Sequence, residues 1–67
     1  MIAFYYEEKK IHETNVVASL APAVGTLVKI KEVDIPYDFK HFKVAKVVYI
    51  FNGGVDAEVY LDLPNVV

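Results

Sequence analysis

Cysteine is absent from the 67 residues, and with it go disulfides, thiolate metal ligands and thiol nucleophiles. Its absence fits a reducing compartment. Arginine is absent too: all seven cations are lysine, set against nine acids for a net charge of −2. The planar guanidinium fork that grips phosphate or a guanine edge is therefore missing, and the acidic balance argues against a dedicated nucleic-acid binder. Ser19 is the one serine, with no glycine-flanked elbow around it. There is no apolar run near the roughly 20 residues of a membrane helix. The opening Met1-Ile2-Ala3-Phe4-Tyr5-Tyr6 lacks the basic start, long apolar centre and cleavage site of a signal peptide. A cytoplasmic protein without a membrane anchor is the expectation.

What the chain has in abundance is apolar surface. Hydrophobic residues make up 55% and aromatics 13% of it. A single domain of this length, residues 1–67, has a small interior and sits near the edge of stability. So many apolar side chains exceed what that interior can hold, and the excess must lie exposed or between subunits.

Short β-branched and aromatic runs alternate with turn residues, the pattern of strands. Ile2–Tyr6 reads as a first strand, the charged 7–10 as a turn, and 11–17 as a second strand with a short helix over 15–20 as its rival. Pro22 stops either. In 26–31, Val28 and Ile30 alternate with Lys29 and Lys31. A loop follows over 32–41, with a single helical turn at 36–40. The segment 42–51 is apolar on both faces, as a central strand is, and its length suggests a bulge near Ala45-Lys46. Asn52-Gly53-Gly54 is a hairpin signal, and 57–63 returns with Ala57, Val59, Leu61 and Leu63 on one side. The expected fold is mainly β: a small antiparallel sheet or SH3-like barrel of four to five strands with one short helical turn. If closure is incomplete, an exposed edge can pair with a second copy.

The order Pro22-x-Val24-Gly25-Thr26-x-Val28-x-Ile30, then Phe42-Lys43-Val44-x-x-Val47-Val48-Tyr49, then Glu58-Val59-Tyr60-Leu61 resembles small phage-encoded SH3-like proteins, most of them uncharacterised. The resemblance spans roughly residues 1–63 and carries no catalytic residue across. It implies a viral origin and host-cytoplasmic location, and a role in oligomeric assembly, in the virion, or in inhibiting a host enzyme or defence system.

Chemistry-bearing constellations are sparse. His41 shares a loop with Asp34 and Asp38, a thin set beside the several His or Cys ligands usual for zinc; a solvated polar rim is the simpler reading. His12 reads as a solvent-facing strand residue. Glu7, Glu8, Asp56, Glu58 and Asp62 read as solvated carboxylates. Gly53-Gly54 joins two strands, whereas a phosphate cradle leads into a helix. Lys29, Lys31, Lys43 and Lys46 beside Tyr49 and Phe42 could hold single-stranded nucleic acid, but the acidic flanks favour solvated strand faces. No catalytic residue, metal site or cofactor is expected. The expected function is protein–protein contact without catalysis, through Tyr37, Phe39, Tyr49, Phe51 and Tyr60, since tyrosine and phenylalanine are favoured at interfaces. A homo-oligomer, by default a dimer, and a host protein are the expected partners. The alternatives are a virion component or a nucleic-acid-binding small barrel.

Overall fold

The computed structural model describes residues 1–30 and 41–63. The strands are β1 (Ile2–Tyr6), β2 (Lys9–Thr14), β3 (Leu27–Lys29), β4 (His41–Phe51) and β5 (Val55–Asp62), with one 3-10 turn at Ala18–Leu20. They form a single curled sheet in the order β2-β1-β5-β4-β3, a half-barrel. The mainly β fold is as the sequence indicates. The sheet is mixed, however: β1 runs parallel to β5, Ile2 opposite Ala57 through Tyr6 opposite Leu61. The other pairings are antiparallel.

Local chemistry sets the elements. Tyr6 lies opposite Lys9, so Glu7 and Glu8 alone make the first turn, both with positive φ (51° and 66°). Lys9 and Lys10 belong to β2, not to the turn. The second strand ends at Thr14 rather than running to Val17. Val16 and Val17 lead instead into the 3-10 turn, which is closed by Leu20 N–H donating to Val17 O at 3.0 Å and followed directly by the Pro22 stop. A second turn, with Thr26 N–H donating to Ala23 O at 3.1 Å, uses Gly25 at φ 92° to aim the chain into β3. The bulge expected near Ala45 is present: Val44 faces Leu61 while Lys46 faces Tyr60. The extra residue lets Phe42 and Val44 before it, and Val47, Tyr49 and Phe51 after it, share one face of the sheet.

That inner face carries the core. Ile2, Tyr6, Ala18, Ile30, Phe42, Val44, Ala57, Val59 and Leu61 pack together, with Phe4, Ile11, Ala21, Val28 and Val47 against them. Phe42 is wholly buried, its ring tilted against Tyr6 at 5.4 Å between centroids. Ala18 presses the 3-10 turn onto the sheet. The gap between the sheet's two ends leaves a cleft of about 620 Å³ lined by Phe4, His12, Val28 and Ile30, among others. There His12, expected to face solvent, lies half-buried with its ring 5.7 Å from Phe4. The helical turn expected at 36–40 and the Asp34, Asp38, Lys31 positions lie outside the described residues. Among the described residues no helix is long and apolar enough to cross a membrane.

Candidate protein-contact surface

The β4–β5 hairpin is longer than the strands beside it. β1 first meets β5 at Ala57, and β3 leaves β4 at Lys43, so the hairpin's tip projects from the sheet. The described residues accordingly extend 40 Å along one axis and 23 and 18 Å along the others. On the inner face of that projection the core continues outward with no cover among the described residues. Val47 is half-buried, Tyr49 is 47% exposed and Phe51 78% exposed.

The tip does not stand alone. Tyr49, Phe51 and Val55 from the hairpin meet Met1 from the head of β1 and Val16 and Val17 from the loop before the 3-10 turn. Together they line an open concavity of about 810 Å³. Val17 is 63% exposed, and Met1, Val16 and Val55 are exposed as well. One ion pair borders the surface: the Met1 amino group lies 3.4 Å from Asp56 Oδ1. It holds the head of β1 beside the hairpin but is exposed, so its contribution to stability is small.

The outer face of the sheet has the opposite character. Tyr60 stacks on Tyr5, centroids 5.3 Å apart. The Lys46 ammonium sits 4.6 Å above the Tyr60 ring, and the Tyr60 hydroxyl donates to Glu58 Oε1 at 2.9 Å. That hydrogen bond to a carboxylate, together with desolvation and the nearby negative charge, raises the Tyr60 pKa above the usual value for tyrosine. Lys43 and Lys46 lie on this face, but Phe42 and Tyr49, which the nucleic-acid reading set beside them, are on the inner face; Lys43 stands opposite Asp62 in the ladder and Lys10 reaches Glu13 at 3.4 Å. Opposite charges alternate here, and no basic stripe forms among the described residues.

Of the five contact residues expected from sequence, the structure brings Tyr49 and Phe51 together on the inner face. Tyr60 is on the outer face, its ring and hydroxyl both engaged. Tyr37 and Phe39 lie outside the described residues. Met1, Val16, Val17 and Val55 escaped the sequence reading. Assigning 11–17 to a strand put Val16 and Val17 on opposite faces; the signal that could have found them is an apolar pair directly before a short, proline-stopped segment. Comparison with protein-family models, with curated proteins and with solved structures finds no match.

Proposed function

We propose that this chain is a non-enzymatic protein that works by protein–protein contact, with the open inner end of its half-barrel as the contact surface. The observation that carries this reading is Phe51, largely exposed on an open, mainly apolar concavity lined by three separate segments of the chain. Burying apolar surface is favourable by about 25 cal/mol for each Å² removed from water, so a partner that covers these side chains gains from doing so. Scattered apolar side chains need no such account, whereas a clustered set marks an interaction site. The phage-type resemblance supports a host protein among the partners.

The test is capture. The tagged chain is cross-linked in cells and its partners are compared with those of Phe51→Asp. Phe51 is outside the core, so the variant should keep the wild-type circular dichroism spectrum and lose the wild-type's specific partners. An unchanged partner set in a folded Phe51→Asp would overturn the reading.

A further inference from the structure

The outer edge of β4 beyond Val44 has no partner among the described residues. β3 pairs with β4 only along His41, Phe42 and Lys43. The last bonds on that side tie Val44 to the preceding turn: Gly25 N–H donates to Val44 O at 2.8 Å, and Val44 N–H donates to Thr26 O at 2.9 Å. Among the described residues, the strand from Lys46 to Phe51 is paired on one side alone, with β5.

The direction of the free groups follows from a bond one strand away. Ala57 N–H donates to Met1 O at 3.0 Å, so Ala57 turns its peptide groups towards β1. Ala57 faces Tyr49 across the hairpin, which makes that a non-hydrogen-bonded pair, and such pairs alternate with bonded ones along an antiparallel ladder. Tyr49 therefore points its N–H and carbonyl away from β5, and Val47 and Phe51 do the same. Three donors and three acceptors line an edge whose sequence, Lys46-Val47-Val48-Tyr49-Ile50-Phe51, carries one charge. The sheet's opposite edge, β2, carries Lys9, Lys10 and Glu13 and a register shift, the usual devices that discourage edge pairing.

We propose, building on the contact reading above, that a second copy of this chain pairs with this edge, β4 against β4, antiparallel about a two-fold axis at Tyr49. In this register Tyr49 faces its equivalent, Val47 faces Phe51 of the second copy, and all six outward groups of each chain find a partner. Shifting the axis to Val48 would set Phe51 opposite the bulged Ala45. The charges agree: the two Lys46 side chains fall at opposite ends of the new ladder, six residues or about 20 Å apart, well beyond the screening length of about 8 Å at physiological salt. The pairing also sets the two open apolar ends side by side on one face, doubling the surface available to a further partner.

The experiment is light scattering of the whole chain over a range of concentrations, with amide hydrogen exchange of the same samples. The expected result is a dimer at tens of micromolar in which the Val47, Tyr49 and Phe51 amides slow as concentration rises. Val47→Pro removes an N–H that points to the open edge, leaving the β4–β5 bonds in place. Tyr49→Lys puts like charges at the axis. Each should weaken the dimer at least tenfold with an unchanged circular dichroism spectrum. A dimer whose three amides exchange at the same rate at every concentration would overturn edge pairing, as would a monomer at all concentrations; the wild-type exchange decides the matter even where a variant misfolds. Neither result touches the contact reading, which Phe51→Asp capture decides separately.

Discussion

Glu7 and Glu8 occupy the two central positions of the β1–β2 turn with positive φ, a conformation that costs an L-residue with a Cβ about 1–2 kcal/mol. Asn-Gly suits such a turn. The double substitution Glu7→Asn, Glu8→Gly should therefore stabilise the protein by about 1 kcal/mol or more, raising Tm by about 4–8 °C for each kcal/mol, as a thermal melt would show. Tyr60 makes a second prediction. Its pKa is raised in the folded chain because its hydroxyl donates to Glu58 and is partly desolvated. A raised folded-state pKa means that the stabilisation is fully present below the unfolded value near 10 and is lost as pH rises through the folded value. The stability difference between wild type and Tyr60→Phe, from urea midpoints, should hold steady up to about pH 10 and shift in favour of the variant above it. Phe42 differs from both, being fully buried. Phe42→Ala should cost about 3–5 kcal/mol, comparable to the whole stability of so small a core, and leave the chain largely unfolded by circular dichroism. Phe42 and Phe51 sit nine positions apart in one strand, and nothing in residue type separates them; the end of the strand that the fold covers does.

Among the elements, β1, β4, β5 and both hairpin turns were legible because their determinants are local. Alternation in 57–63 puts Ala57, Val59, Leu61 and Leu63 on one side; the structure buries the first three, while Leu63, past the end of β5 at Asp62, is exposed. Asn52-Gly53-Gly54 turns the chain as such residues do, with Gly53 at φ 90°. Gly53→Ala meets open space but strained backbone, so it should destabilise the hairpin by about 1–2 kcal/mol, read as a lower urea midpoint with unchanged spectroscopic signature. The register shift at Ala45 was also visible, since ten apolar-rich residues in a small curled sheet need a bend. What was not visible was the end of β2. Residues 11–17 favour an extended backbone, yet pairing stops at Thr14, where β1 begins at Ile2 and has nothing further to offer. The partner strand's length, not the propensity of Val16 and Val17, set that boundary.

At the scale of the molecule, five strands curl without closing, and the hairpin overhangs its neighbours. If two copies pair along that overhang, folding and association are linked, and stability must depend on concentration. Raising the protein concentration tenfold should raise Tm by several degrees, since a factor of ten in mass action is worth about 1.4 kcal/mol. Melts that superimpose at low and high concentration would speak against any self-association. The same dependence should vanish in Tyr49→Lys.

The amino-acid order alone decided the fold class, most of the strands, the hairpin and the surplus of apolar side chains, because alternation, turn chemistry and composition act over a few residues or over the whole chain at once. Only the tertiary structure decided which of those side chains remain in the open. The parallel pairing of β1 with β5, the place where β3 leaves β4, and the reach of the 3-10 turn together cover Phe42 and leave Phe51 bare, turn Tyr60 to the opposite face from Tyr49, and bring Met1, Val16, Val17 and Val55 to the open apolar concavity beside Tyr49 and Phe51. Each of these depends on contacts between residues far apart in sequence, which no local pattern encodes.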